Sequence, residues 1–172
     1  MRKTFWMVLP ALLILGLAVL PAVGADKVDK LTDADVLKKL YGTGLLEIKL
    51  GDLANDNSEN KDVKTFGKKM AQDHRDANKR LEKVAKTLSV TLPDKLNKTQ
   101  QDTYDKLKKL KGSAFDKAYM KLMVDGHEKV VTAFTSTMNN AKDKNLRDFA
   151  KNHLPAIKDH LALAKKIKAK VD

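Results

Sequence analysis

Apolar residues recur at alternating spacings of three and four along four stretches of this chain, the interval that lines one face of an α-helix. In the first stretch Leu37, Leu40, Gly44, Glu47 or Ile48, Gly51 and Ala54 share a face. Thr32 with Asp35 makes a capping-box start for it, and the polar run Asn55 to Ser58 breaks it. The second opens at Ser58 and aligns Val63, Phe66 or Gly67, Met70, His74, Ala77, Leu81, Val84 and Leu88 before Pro93 stops it. The third opens on Ser113 and Asp116, again resembling a capping box, and aligns Phe115, Tyr119, Leu122, Met123, His127, Val130 and Phe134. Asn139, Asn140 and Asp143 mark a turn. The fourth then aligns Leu146, Ala150, His153, Ile157, His160, Ala164 and Ile167, with Pro155 inside it predicting a kink.

No alternating strand pattern competes with these helices. Each is about 35–45 Å long at about 1.5 Å per residue. Short turns join the first to the second and the third to the fourth. Residues 93–112 separate the second from the third, enough to cross a bundle lengthwise, and Tyr104, Leu107 and Leu110 predict a short lid helix within them. One long crossover is the connectivity of ferritin-like bundles. The expected fold is therefore all-α: a ferritin-like four-helix bundle with one long crossover between its second and third long helices, occupying residues 26–172.

Residues 1–25 read as a signal peptide. Arg2 and Lys3 precede an uncharged run from Thr4 to Leu20, and small residues at Ala22 to Ala25 favour cleavage after Ala25. The mature protein is then periplasmic or secreted, and its leader engages the membrane only during export. If uncleaved, the same run is an anchor, although its length is at the low end for a span.

Composition narrows the chemistry. With no cysteine, the chain has no thiolate ligand, disulfide or lipid-attachment site. The formal charge of +12 falls to +10 when Arg2 and Lys3 leave with the signal, and nearly all the excess is lysine. Lysine is a hydrated point charge poorly suited to reading bases bidentately, and few aromatics interleave with it, so nucleic acid is not an expected partner. A solvated surface accounts for the charge, with an anionic envelope surface as the alternative partner.

The histidines carry the candidate chemistry. Glu47, His74, His127 and His160 lie near the middle of their helices on the apolar faces. In a bundle of equal helices these positions occupy one layer, where unpaired polar groups are costly and a cation would satisfy them together. Glu47, His74, His127 and His160 are thus the candidate ligands of a single metal ion, with His153 ranked behind them. Residues Ala71, Val124, Ala150 and Ile157 stand three before the histidines, so the Glu-x-x-His motif of di-iron bundles is missing. Zinc, copper, iron or nickel would accept such donors. Met70 and Met123, each four residues before a histidine, either add thioether ligands for copper or simply fill the core. Asp73 and Asp159, each preceding a histidine, either orient a ring on a neighbouring helix or are solvated, and Asp125 and Glu128 carry the same alternatives. Tyr41 and Tyr119 are either hydrogen-bonding neighbours of the site or packing residues.

No phosphate loop or nucleophile elbow appears. The runs Gly44 to Leu50, Phe66 to His74, Phe115 to His127 and Leu154 to His160 together resemble the bacterial domain of unknown function 4142 family, over roughly residues 33–166. The resemblance implies an exported, ferritin-like four-helix domain, with the family's glutamate and histidines falling at Glu47, His74, His127 and His160. It names neither metal nor reaction. The sequence thus points to an exported protein with a buried mononuclear metal site, serving metal homeostasis or envelope stress. The alternative is a non-catalytic envelope protein that binds anionic surfaces or a protein partner through its lysine-rich face, with structural core histidines.

Overall fold

Residues 31–172 are described in a computed structural model, and the expected signal peptide lies outside them. Five helices make up this part: α1 (Asp33–Asn57), α2 (Lys61–Thr87), α3 (Lys98–Lys108), α4 (Gly112–Asn140) and α5 (Lys144–Val171). Four are long and form the bundle. The fifth, α3, is the short helix expected within the crossover. None of the helices among the described residues is long and apolar enough to cross a membrane.

Cluster membership fixes the directions of the helices. One apolar cluster gathers Leu50, Leu53 and Ala54 of α1, Val63, Phe66 and Met70 of α2, Phe115, Tyr119 and Met123 of α4, and Ala164 and Ile167 of α5. The other gathers Leu37 of α1, Leu81 and Val84 of α2, Phe134 of α4, and Leu146, Phe149 and Ile157 of α5. Helices α2 and α4 therefore run parallel from the first cluster to the second, while α1 and α5 run the opposite way. The segment from Leu88 to Lys111 must return the length of the bundle. Helix α1 packs chiefly on α2 and α4 on α5, and these two hairpins meet along α2–α5 and α1–α4.

Two glycines set the closeness of the first hairpin. A Cβ on Gly51 would stand 2.4 Å from the Gly67 carbonyl oxygen, and one on Gly67 would stand 2.6 Å from the Ala54 Cβ. Only residues without a side chain permit that approach.

The helix ends follow local chemistry, with two departures from expectation. Thr32 and Asp35 form the expected capping box. Ser58, expected to open α2, instead ends α1 by donating its N–H to Ala54 O at 3.2 Å. Asn60 is the cap of α2, its Oδ1 accepting from the N–H groups of Asp62 and Val63 at 2.8 and 3.2 Å. The Ser113–Asp116 box is not formed. Helix α4 starts one residue earlier, at Gly112, leaving Ser113 inside the first turn, and Asp116 is buried. Asn57 secures this junction instead, donating to Lys108 O at 3.2 Å and Leu110 O at 2.8 Å while accepting from the Lys111 ammonium. Helix α5 continues unbroken through Pro155, which is exposed.

Candidate metal centre

Between the two apolar clusters each long helix carries one buried titratable side chain: Glu47 between Leu37 and Leu50, His74 between Met70 and Leu81, His127 between Val124 and Phe134, and His160 between Ile157 and Ala164. On α2 the buried amide of Asn78 follows one turn after His74. Helical periodicity alone puts these side chains inward, because each occupies a core position of its own seam.

Three of the four meet. The ring centroids of His74, His127 and His160 form a nearly equilateral triangle with sides of 6.1, 5.9 and 5.6 Å. One nitrogen from each ring lies within 4.8 Å of the others. Nitrogens tetrahedrally bound at about 2.0–2.1 Å would be about 3.3 Å apart, so a modest contraction seats an ion among them.

The hydrogen bonds decide which nitrogens are free. His160 Nε2 is 2.8 Å from Asp73 Oδ2, and His127 Nδ1 is 2.8 Å from Met123 O. Burial works to raise the Asp73 carboxyl, but hydrogen bonds from Lys69 and His160 outweigh it and hold it below its usual range. An ionised carboxylate and a carbonyl can only accept, so both ring nitrogens facing them carry protons. Their opposite nitrogens, His160 Nδ1 and His127 Nε2, then bear bare lone pairs. Both are buried without a hydrogen-bond partner, as is His74 Nε2. A ring fixed by a carboxylate on one nitrogen and open on the other is the usual arrangement of a metal-ligating histidine.

The electrostatics keep these groups uncharged. Burial, with the nearby His127 and His160, pushes His74 down to about 3. Burial also lowers His127 to about 4, and lowers His160 despite the opposing Asp73 carboxylate. Burial alone pushes the Glu47 carboxyl up to about 8. Near neutral pH the layer thus consists of neutral imidazoles and a largely protonated acid. Neutral imidazole is the form that binds a metal.

Residues 18–167 match a family defined as a domain of unknown function, DUF4142. The chain belongs to the DUF4142 family. Among solved structures, the DUF4142 chain is similar to a DUF305 protein from Streptomyces coelicolor, assigned as secreted, with a TM-score of 0.67 and 11% identity over 81% of this chain and 94% of that one. At that identity the likeness concerns the fold. No curated protein matches the sequence.

The other sequence candidates fall at definite places in this DUF4142 domain. Glu47 is buried with Oε2 unpartnered, but it is not among the groups that meet within 4.8 Å. Its carboxyl turns toward α4, where a Cβ on Gly126 would stand 3.9 Å from Oε1. Gly126 is therefore the glycine beside the carboxyl. Gly44 instead admits Asn78, whose Oδ1 would be 2.2 Å from an added Cβ, and Gly51 serves the helix approach. Met70 and Met123 are fully buried in the first apolar cluster. The repeated Asp-His pairs diverge: Asp73 binds the ring of His160 across the α2–α5 interface, whereas Asp159 is exposed. Asp125 and Glu128 pair with Lys121 and Lys165 at 2.5 and 2.7 Å. Tyr41 donates to Glu82 at 3.1 Å, while Tyr119 stacks on Phe115 in the core. His153 stands outside the triplet, half-buried against Phe149.

Proposed function

We propose that this DUF4142 protein is exported and holds one transition-metal ion between His74, His127 and His160, with Glu47 as the anionic fourth donor. The observation that carries the reading is the set of four buried, unpartnered atoms, Glu47 Oε2, His74 Nε2, His127 Nε2 and His160 Nδ1, on the level that splits the apolar core. Each such atom costs about 1–3 kcal/mol when left unsatisfied. Structural histidines in a non-catalytic envelope protein would pair these nitrogens within the core, so this cost weighs against that alternative. An ion among the three histidines satisfies their nitrogens at once, and Glu47 joins them by giving up its proton and moving its carboxyl toward the ion.

Imidazole and carboxylate donors suit zinc, copper, iron or nickel. The three histidines are no more than 8% exposed, which favours holding an ion over turning over a substrate, and so a part in metal homeostasis. The uncharged N-terminal run and the secreted assignment of the Streptomyces protein support export. Elemental analysis of gently purified protein is expected to find near-stoichiometric metal that is lost in His74→Ala. A metal-free protein whose melting temperature ignores zinc, copper, nickel and iron would overturn the reading.

A further inference from the structure

His153 has no part in the triplet, yet it is tied to it by a cavity. A void of about 30 Å³ lies where the four long helices meet, with His74 and His153 both in its wall; Leu40, Phe134, Phe149 and Ile157 supply much of the remainder, and Thr43 and Asn78 add polar groups. That volume exceeds the roughly 10–15 Å³ needed to admit one water. His74 is also the most exposed of the three clustered histidines, at 8% against 1% for His127 and 2% for His160.

The ring of His153 is held for a particular use. Its Nδ1 lies 2.8 Å from Phe149 O, and the ring stacks on Phe149 with centroids 4.1 Å apart. Since the carbonyl only accepts, Nδ1 carries the proton and Nε2 has the lone pair. Nε2 faces Nη1 of the exposed Arg80 at 3.5 Å, a long contact that a small side-chain movement releases. Apolar walls cannot replace the hydration shell of a free cation. The imidazoles of His153 and His74 are the nitrogen donors in this wall, and they are the groups between which a transition-metal ion crossing it would pass.

We infer that His153 and the adjoining cavity form the loading route of the buried centre, with a divalent transition-metal cation caught by His153 Nε2 and handed to His74. The inference rests on the triplet being an ion site. In the transfer one metal–imidazole coordinate bond forms as another breaks, the ring nitrogens keep their protons, and no electrons change hands. Arg80 turns to solvent while Nε2 is engaged.

Stopped-flow loading with cobalt(II), followed by its visible absorption, separates this inference from the reading beneath it. His153→Leu is expected to slow both uptake and chelator-driven release by about tenfold or more, since one stop on the path is lost. Final stoichiometry and equilibrium affinity should match the wild type, because His153 is not a resting ligand. Wild-type rates in His153→Leu would overturn the route and leave the metal site standing. A lower final affinity in that variant would also overturn it, by making His153 a ligand of the loaded state. A wild-type protein that binds no cobalt would remove both proposals. Arg80→Ala, at an exposed position that puts little at risk in the fold, frees Nε2 and is expected to load faster. An unchanged rate there would overturn the route independently.

Discussion

Replacing Glu47 by glutamine should remove most of the alkaline weakness of the metal-free protein. Burial raises this carboxyl from 4.5 to about 8. Between those values the folded protein keeps a proton that the unfolded chain releases. The stabilising contribution of Glu47 is therefore complete below pH 4.5 and is lost as the pH rises through about 8. A shift of that size corresponds to about 5 kcal/mol, of which about 3 kcal/mol falls between about pH 6 and pH 9. His74 and His127 act in the opposite direction. Their lowered values give stability that is present above 6.5 and lost as the pH falls through about 4 and then about 3. Glutamine keeps the shape of the side chain and cannot ionise, so comparison of Glu47→Gln with wild type cancels the histidines and the surface groups. Urea unfolding of both proteins with chelator present, at the two ends of that range, measures the difference. Wild type should lose about 3 kcal/mol more than the variant on going to the higher pH. Equal losses would mean that Glu47 is not carried as a buried acid, and would refute the electrostatic account of the layer.

Gly51→Ala brings a Cβ to 2.4 Å from the Gly67 carbonyl oxygen and 2.9 Å from Ala71 N, both backbone atoms that cannot turn aside. A loss of about 3 kcal/mol is expected, seen as a fall in Tm of roughly 6–12 °C, and an unchanged Tm would show that α1 and α2 are not so close. Ser89 follows α2 with φ of 52°, closing the helix with Val90 N–H on Ala85 O at 2.9 Å. Ser89→Gly relieves that left-handed backbone and should raise stability by about 0.5–1 kcal/mol in urea titrations; a decrease would contradict the strain. Asp73→Asn removes the ionised acceptor that fixes His160, and should weaken metal affinity by about 10–100-fold in competition titrations while the fold, followed by circular dichroism, is retained. Unaltered affinity would show that Asp73 does not position the ring.

The bundle and its long crossover were legible because seam residues such as Met70, Leu81, Phe115 and Ile167 follow the helical period, and periodicity survives tertiary context. The inward placement of the three histidines was legible for the same reason, and their midpoints put them on one level. Helix ends were less so. Ser58 and Ser113 are good capping residues, but Asn60 and the tethers from Asn57 decide where α2 and α4 begin, and those tethers join residues more than fifty positions apart. Asp73 and Asp159 share the same Asp-His dipeptide, so the packing of α2 on α5 is what distinguishes a ring partner from a solvated acid. Gly126 offers no local sign of its role, since the carboxyl it faces comes from α1.

The α2–α4 crossover divides the candidate ligands equally between two hairpins. The first contributes His74 and Glu47, and the second contributes His127 and His160. Much of what joins the hairpins is apolar contact, which is tolerant of sliding; the directional ties include the Asp73–His160 bond, the ion pair of Lys170 with Asp62 at 2.6 Å, and Asp33, which accepts from Lys142 N–H at 3.1 Å and Asp143 N–H at 2.6 Å. An ion at the layer would be a directional clasp between two halves of one molecule, setting their register as well as their affinity. A chain cut once in the crossover, near Asp94, should then yield two fragments whose association in sedimentation experiments depends on metal. Fragments that pair equally well in chelator would show that the apolar clusters fix the register unaided.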